Sequence, residues 1–387
     1  MNPRNKKYHN LALALSLVIL MLASFFYLET PEARNSPLLS IWPTAPGTTV
    51  TAPVTTVTQS SQTQRPTTML PTTVTVPPTT TIPLPPTTVP TIPTTAPTTP
   101  PTTITTAPPT LPEIPNSGIP KISAKYAFVY DSGTQHFLYT SVTTDTAVYP
   151  ASITKLFTTY VALQYLKMED LVTVGSELSY VATDASVAGF RKGDVVSVED
   201  LVYGALLPSG CDASYILAAA AGRACLGLPQ ASAKNAINAF LSECNRMATN
   251  LGMVKTFIAN PDGYHNSSHY ISLQAMAIIS TLYLENEHIA KVCATASKTI
   301  TYKNAQGSVC TATFQNTNHL IHPGSDYYHE LSVGGKTGTT AAAGACLLTA
   351  YRVGDRYIVI GVFGAGSNER RFSDANKLFD ACLPYLS

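Results

Sequence analysis

Proline is distributed very unevenly along this 387-residue chain, and the distribution limits which part can form a packed core. Of the 29 prolines, 23 precede Ile122 and only 6 follow it. Residues 42–112 are mainly threonine and proline, and Arg65 is their only charged residue. Such a segment lacks the large apolar groups that would offset the entropy lost on folding. The sequence therefore predicts a disordered Thr/Pro-rich stalk over residues 29–121 and a folded domain over residues 122–387.

The stalk is expected to be extended rather than collapsed. Dense proline favours polyproline II, which rises about 3.1 Å per residue, so about 70 residues span on the order of 200 Å. A passive spacer that holds the folded domain away from a surface is the simplest interpretation.

An uncharged apolar run of 18 residues, Leu11–Leu28, lies near the N-terminus. At 1.5 Å per residue it spans roughly 27 Å, which matches the core of a bilayer. Basic residues precede the run, and this pattern places residues 1–10 in the cytoplasm and the domain outside the cell membrane. Bulky residues end the run where a cleavage site would need small ones. We therefore expect an uncleaved, single-pass signal-anchor over residues 11–28, with a cleaved signal peptide and a secreted protein as the alternative.

Charge and metal-binding residue patterns exclude several classes of partner. The formal net charge is +1, without basic clusters or an acidic tail, so we expect no nucleic-acid partner. The seven cysteines form no C-x-x-C pair and do not have zinc-site spacing. We expect most of them to be buried free thiols, and a disulfide such as Cys225–Cys244 stays open. His265 and His269 lack the glutamate of a metalloprotease helix, so we expect loop residues and no metal.

The globular part begins and ends with strand patterns. Alternating apolar residues around Asp131–Gly133 predict a β-hairpin, and two further strands flank Val353–Asp355. Helical patterns fill residues 150 to about 284, the first of them running to about Leu166, and a final helix is predicted from about Ser373 to Leu386. This order predicts an α/β (α+β) domain whose antiparallel sheet joins both ends of the chain, flanked by helices, with an all-helical lobe inserted. A ligand cleft is expected between the two lobes.

Ser152 and Lys155 stand one helical turn apart at the start of the first predicted helix. Residues three apart in a helix lie close together in space. A serine hydroxyl needs a neighbouring base to act as a nucleophile, and a buried lysine can supply that base. The amide groups at a helix N-terminus can also stabilise an oxyanion. The pair thus indicates a covalent active site, although the S-x-x-K spacing is common by chance.

Two later segments make this interpretation more specific. Ser209 lies in Leu207–Asp212, on a predicted turn before an alanine-rich helix. Lys336 lies in the glycine-rich segment Gly334–Thr340, just before the C-terminal strands. A second cation at Lys336 would favour the neutral form of the first lysine and attract a substrate carboxylate.

The three motifs, in this order, resemble those of penicillin-binding proteins, and their spacing is similar to that of the low-molecular-weight, serine-type D-alanyl-D-alanine carboxypeptidases. The flanking segments strengthen the resemblance, which covers about Ser123 to Tyr385. The supporting segments are "P-A-S-I-T-K-L", "L-P-S-G-C-D-A", "T-F-I-A-N-P-D-G", "N-T-N-H-L", "G-G-K-T-G-T-T-A-A-A-G" and "R-F-S-D-A-N-K-L-F".

The resemblance implies a role for each matching residue. Ser152 would attack the bond between two D-alanines of a peptidoglycan stem peptide, Lys155 would take its proton, and Ser209 would help relay it. The amides of Ser152 and Thr339 would form the oxyanion hole. The terminal carboxylate would be bound by the third motif and by a residue of the final helix: Lys336, Thr337, Gly338, Thr339 and Arg371. No cofactor is implied, and β-lactams would be covalent inhibitors.

Cys211 departs from the family, which usually has asparagine there. A thiol donates and accepts hydrogen bonds only weakly, so Cys211 is counted among the substrate-binding residues with an open effect on the fate of the acyl-enzyme. A D,D-transpeptidase that uses an amine acceptor, and a wall-binding homologue that has lost turnover, are the alternatives to a carboxypeptidase. The chain lacks the E-x-x-L-N stretch of class A β-lactamases, so β-lactams are expected to leave Ser152 slowly.

Overall fold

The structure is a computed structural model that describes residues 111–386. Within this range the chain forms eleven strands and seven α-helices. The strands are β1 (Tyr126–Asp131), β2 (His136–Thr140), β3 (Ala147–Val148), β4 (Leu171–Thr173), β5 (Val195–Ser197), β6 (Ile271–Ser272), β7 (Ser297–Lys303), β8 (Val309–Gln315), β9 (Ser332–Thr340), β10 (Gly344–Val353) and β11 (Arg356–Ala365). The helices are α1 (Thr154–Ala162), α2 (Val198–Leu206), α3 (Cys211–Leu226), α4 (Ala233–Asn250), α5 (Leu273–Glu285), α6 (Glu287–Cys293) and α7 (Arg370–Cys382).

The main sheet joins the two ends of the domain, as the sequence predicts. Its five antiparallel strands follow the order β2-β1-β11-β10-β9, and Tyr126 pairs with Phe363. The strands β1, β10 and β11 are buried on both faces, so they are mostly apolar along their whole length. Helix α7 packs on one face through Phe372, Leu378 and Phe379. The opposite face packs against the inserted lobe.

The inserted lobe is not all helical, and this part of the prediction is wrong. A second antiparallel sheet has four strands in the order β4-β5-β7-β8, and in the sequence these strands lie between β2 and β9 of the main sheet. Its strands β4 and β5 have only three residues each, too few for an alternating pattern to be visible. Strands β7 and β8 are largely exposed, so polar residues such as Thr299 and Thr313 face each other instead of apolar ones. The fold class itself is confirmed.

Helix α1 lies at the centre of the molecule and carries the first motif. Eight of its nine residues are buried, and the buried residues include Lys155 and three threonines, so the polar side chains of this helix lie inside the protein. A single 3-10 turn, Ala151–Ile153, leads into it. The helix ends at Ala162 rather than near Leu166, because the amides of Gln164 and Tyr165 bond three residues back, to Val161 and Ala162, and tighten the last turn.

The other local predictions agree closely with the structure. The hairpins β1–β2 and β10–β11 form where they are expected. Helix α7 begins at Arg370, three residues early, and gives way after Cys382 to a 3-10 turn that contains Pro384. Proline has no amide hydrogen with which to continue an α-helix. All seven cysteines are free, and five of them are buried, while Cys225 is exposed.

The predicted cytoplasmic segment, signal-anchor and stalk lie outside the described residues, apart from the last part of the stalk. In that part Leu111 and Ile114 are buried in the apolar cluster beneath α7, so the folded region begins earlier than residue 122. Among residues 111–386, none of the helices combines the length and the hydropathy that crossing a bilayer requires.

Candidate active site

The side chains of Ser152 and Lys155 meet at the start of α1. Lys155 is fully buried, and its Nζ lies 2.8 Å from Ser152 Oγ. The same nitrogen donates to the carbonyl of Asp262 at 2.8 Å and contacts Cys211 Sγ at 3.3 Å. A helical spacing of three brings lysine and serine together, and burial of α1 on all sides keeps the amine out of water.

The segment that holds Lys155 from the other side is the Asn260–Gly263 turn. Thr158 donates to the carbonyl of Pro261 at 2.7 Å, so two residues of α1 are bound to consecutive carbonyls of this turn. Asp262 is buried, and its Oδ1 accepts from the amide of Tyr264. Gly263 has φ +76°, and a Cβ there would lie 1.9 Å from the carbonyl oxygen of Ala151, so only glycine fits.

The second motif forms the opposite wall of the site. Ser209 is buried with φ +64°, in the turn before α3, and its carbonyl accepts from Ser186 at 2.7 Å. Cys211 is the first residue of α3 and contacts Lys155 directly. Burial raises the pKa of the Cys211 thiol, although the Lys155 charge opposes the shift. The hydrogen bonds of Lys155 Nζ reach Ser152, Cys211 and Asp262, and none of them goes to the Ser209 hydroxyl.

Strand β9 carries the third motif past the nucleophile. A Cβ on Gly338 would lie 2.9 Å from the amide nitrogen of Ser152, so this glycine lets the strand approach the nucleophile turn closely. Thr339 follows it and is exposed. The two predicted oxyanion-hole residues, Ser152 and Thr339, therefore lie on neighbouring segments.

Lys336 is buried in β9 and donates to the carbonyl of Thr337 at 3.0 Å. Burial holds its pKa well below the usual range, and the charges of Lys155 and Arg371 lower it further. The second cation of the prediction is thus near the first, and the two repel each other. Repulsion between buried cations favours a neutral amine on one of them.

Arg371 reaches the same strand from the start of α7. Its Nη1 lies 3.0 Å from Thr339 Oγ1 and 3.3 Å from the carbonyl of Gly338. Burial lowers the pKa of Arg371 to about 10. Thr339 Oγ1 in turn donates to Asn368 Oδ1 at 3.1 Å, and Thr337 Oγ1 lies 2.6 Å from Thr317 Oγ1. The end of β9 is therefore a polar surface next to two buried cations, which suits a carboxylate.

This arrangement is suited to acyl transfer. Lys155 Nζ lies within hydrogen-bond distance of the Ser152 hydroxyl, the Asp262 carbonyl and the Cys211 sulfur, so the amine is placed to exchange a proton with the serine. The residues 111–386 contain no cluster of three or more His, Cys, Asp or Glu side chains arranged to hold a metal ion.

Sequence reasoning missed the residues that support the catalytic ones. Asp262 acts through its main-chain carbonyl, and any residue type has one, so only the resemblance of its loop could point to it. Asn368 and Thr317 bind the third-motif threonines from distant parts of the chain. His269 lies in a loop, as expected, but it is buried and bonded to Thr154, whereas His265 packs edge-on against Tyr149.

Comparison with known proteins agrees with the motifs and the geometry. The sequence model of the D-alanyl-D-alanine carboxypeptidase family matches residues 113–367. The D-alanyl-D-alanine carboxypeptidase of Streptomyces sp. strain K15 is 33% identical over 266 residues, which are 67% of this chain and 87% of that protein.

Solved structures show the same relation. The crystal structure of the Streptomyces K15 DD-transpeptidase is 32% identical, with a TM-score of 0.62, and the match covers 68% of this chain and 98% of that one. Solved variants of that enzyme replace a serine and a cysteine that stand two positions apart. Penicillin-binding protein D2 of Listeria monocytogenes, solved in an ampicillin-bound form, shares the fold with 23% identity and a TM-score of 0.53 over 68% of this chain and 98% of that one. With three ordered motifs converging on one serine–lysine pair, the chain belongs to the D-alanyl-D-alanine carboxypeptidase family of serine peptidases.

Proposed function

We propose that Ser152 is the nucleophile that cleaves the terminal D-alanyl-D-alanine bond of peptidoglycan stem peptides. One observation carries the assignment: the fully buried Lys155 amine lies 2.8 Å from the hydroxyl of Ser152, a serine that is itself partly exposed. Ser152 Oγ attacks the carbonyl carbon, and Lys155 takes the hydroxyl proton. The bond to the last D-alanine breaks, its nitrogen takes up a proton, and the acyl group stays on the serine oxygen.

Ser209 is proposed to pass the proton from Lys155 to the departing amine. Its turn leads directly into Cys211, which contacts Lys155, so Ser209 lies two residues from a side chain that touches the lysine. This step belongs to the substrate complex, since hydrogen bonds of this kind tighten only when the substrate is bound.

The leaving D-alanine is proposed to bind at the end of β9. Its carboxylate would face Lys336 and Arg371, with the hydroxyls of Thr337 and Thr339 beside them. Gly338 lets the substrate carbonyl lie between the amides of Ser152 and Thr339. Each donor in such an oxyanion hole contributes about 10²–10³ to the rate.

Water then hydrolyses the acyl-enzyme, which gives a carboxypeptidase, and an amine acceptor would give a transpeptidase. The presence of Cys211 supports transpeptidation as a second candidate activity. The serine and cysteine substituted in the solved Streptomyces transpeptidase have the same spacing as Ser209 and Cys211. A sulfur atom binds and orients water poorly, so an incoming amine would compete better than it does beside an asparagine.

We also propose that residues 11–28 anchor the enzyme in the cell membrane and that residues 29–110, which precede the folded part, lift the domain towards its polymeric substrate. The uncharged run Leu11–Leu28, the basic residues before it and the Thr/Pro composition after it support this proposal. Membrane fractionation of full-length protein, beside a variant that begins after residue 28, tests the anchor. Recovery of both forms in the soluble fraction, with a new N-terminus on the first, would indicate a cleaved signal peptide.

Acylation is tested by labelling the purified protein with a fluorescent penicillin, followed by mass spectrometry of the labelled peptide. We expect one penicilloyl group, on Ser152, and no labelling of Ser152→Ala. Ser308→Ala is the matched control, because Ser308 is exposed in the β7–β8 turn, outside the site. Labelling at another residue, or equal labelling of Ser152→Ala, would refute the assigned nucleophile.

Turnover is tested by measuring the release of D-alanine from a stem pentapeptide, with and without an amine acceptor. Release without acceptor identifies hydrolysis, and a cross-linked product that grows at the expense of hydrolysis identifies transfer. A protein that labels with penicillin but releases no D-alanine under either condition would be a wall-binding homologue.

A further inference from the structure

His269 is a buried histidine for which the proposed reaction has no role. Only 2% of its surface is exposed, and its Nε2 lies 3.0 Å from Thr154 Oγ1. The short β3–β6 pairing, in which Val148 pairs with Ile271, holds its segment against the nucleophile turn. His269 therefore lies directly beneath the residues that lead into Ser152.

The direction of these hydrogen bonds can be deduced. Thr154 Oγ1 lies 2.9 Å from the carbonyl oxygen of Ala151. A carbonyl only accepts, so the threonine hydroxyl donates its single hydrogen to Ala151. His269 must then donate through Nε2–H. Its Nδ1 is buried and has no hydrogen-bond partner within residues 111–386. Burial lowers the pKa of His269 to about 4, in agreement with a neutral ring.

The residue at the end of this chain of hydrogen bonds is strained. Ala151 has φ +47°, in the left-handed region that residues with a Cβ seldom adopt. Its carbonyl is fixed from one side by Thr154 and from the other by the close backbone of Gly263. Ala151 directly precedes Ser152, so its conformation determines where the serine hydroxyl points.

We propose that His269 is a positioning residue for acylation: through Thr154 it holds Ala151 in its left-handed conformation and so aims the Ser152 hydroxyl at Lys155. The proposal rests on the assignment of Ser152 as nucleophile. His269 transfers no proton, because its Nε2–H is bonded to Thr154 and its Nδ1 has no hydrogen-bond partner in the part of the chain that the structure describes.

Two pairs of variants test the proposal in the full-length protein. His269→Phe keeps a planar apolar ring but loses the donor, whereas the amide nitrogen of His269→Gln reaches about as far as Nε2. Thr154→Val removes the hydroxyl at nearly constant shape, and Thr154→Ser keeps it. The measurements are the second-order rate constant for acylation by fluorescent penicillin and the thermal midpoint.

A misaimed nucleophile typically costs about 10²-fold in rate. We therefore expect His269→Phe and Thr154→Val each to slow acylation by about that factor, and His269→Gln and Thr154→Ser to recover most of it. The double variant His269→Phe/Thr154→Val should be no slower than either single variant, because both break one chain of hydrogen bonds.

Several results would overturn the proposal. A merely structural His269 would lower the thermal midpoint of His269→Phe and leave its acylation rate unchanged. Equal slowing in His269→Phe and His269→Gln would show that the donor is irrelevant. If His269→Phe does not fold, the Thr154 pair decides, and equal rates for valine and serine refute the idea.

The tautomer gives an independent check. Nitrogen NMR of the folded protein should show His269 protonated at Nε2 and bare at Nδ1 at neutral pH, and the opposite tautomer would contradict the hydrogen-bond direction. Failure of the nucleophile assignment itself is recognised separately, since Ser152→Ala would then still be labelled.

Discussion

Replacing Gly263 by alanine should both destabilise the protein and slow its acylation. The new Cβ would lie 1.9 Å from the carbonyl oxygen of Ala151 and 2.8 Å from Thr154 Oγ1. Neither atom can move away easily, because the Ala151 oxygen belongs to the main chain and Thr154 Oγ1 is hydrogen-bonded to Ala151 and His269. The substitution therefore forces apart the turn that holds Lys155 and the turn that carries Ser152.

The size of the effect follows from two contributions. Alanine at φ +76° costs about 1–2 kcal/mol for the left-handed conformation. Forcing a methyl group into filled space adds about 1–3 kcal/mol. The sum is about 2–5 kcal/mol. Gly252 separates the two contributions, because it has φ +68° and no atom within 4 Å of an added Cβ, so Gly252→Ala should cost only the first.

Urea denaturation and penicillin labelling of both variants provide the assay. We expect Gly263→Ala to be about 1–3 kcal/mol less stable than Gly252→Ala, which is the overpacking difference alone. We expect its acylation to be about 10²-fold slower, while Gly252→Ala acylates at the normal rate. Equal stability of the two variants together with normal acylation would refute the argued contact between the turns.

Three further predictions concern buried groups of the site. Burial lowers the pKa of His269 from 6.5 to about 4, so as the pH falls the unfolded chain binds a proton at this residue before the folded protein does. The free energy of unfolding that depends on the neutral ring is therefore fully present above pH 6.5 and is lost between pH 6.5 and pH 4. At 1.36 kcal/mol per pKa unit this loss of stability approaches about 3 kcal/mol. Urea denaturation at pH 7 and pH 4.5 should show a smaller fall in the free energy of unfolding for His269→Gln than for the unvaried protein, and an equal fall in the two proteins would contradict this. Lys336→Met should lower kcat/KM for a D-alanyl-D-alanine peptide by about 10- to 100-fold, because a charged hydrogen bond is lost. The free energy of unfolding of the same variant should be about 1 kcal/mol higher, because a buried cation that repels Lys155 and Arg371 has been removed. A lower free energy of unfolding would count against that repulsion. Cys211→Asn should release D-alanine about fivefold faster without an acceptor, as expected for one better hydrogen bond, and unchanged hydrolysis and transfer rates would show that the thiol is equivalent to the amide.

Much of the site could be predicted from the sequence because its chemistry uses particular side chains at fixed spacings. Ser152 and Lys155 are three residues apart on a helix, and Lys336 follows glycines on a strand that packs against them. The hairpins were predictable for a similar reason, since alternating apolar residues and turn residues are local signals.

The remainder depended on contacts between distant segments. The Asp262 carbonyl and the left-handed Ala151 leave no trace in residue type, because every residue has a carbonyl and alanine is not typical of positive φ. The sheet β4-β5-β7-β8 was hidden by its short and polar strands, whose positions are set by pairing partners rather than by their own sequence.

The pairing of β1 with β11 has a consequence for the order in which the domain matures. Asp131 and Arg356, joined at 2.7 Å, are 225 positions apart. The first strand of the domain therefore stays without its partner until the last strand, β11, takes the central position in the main sheet. Until then the β1 side of the β1–β2 hairpin is an unpaired edge, and an apolar edge of this kind readily pairs with another copy. Newly synthesised chains should therefore depend on a chaperone that covers residues 126–140 until β11 is available to pair with β1.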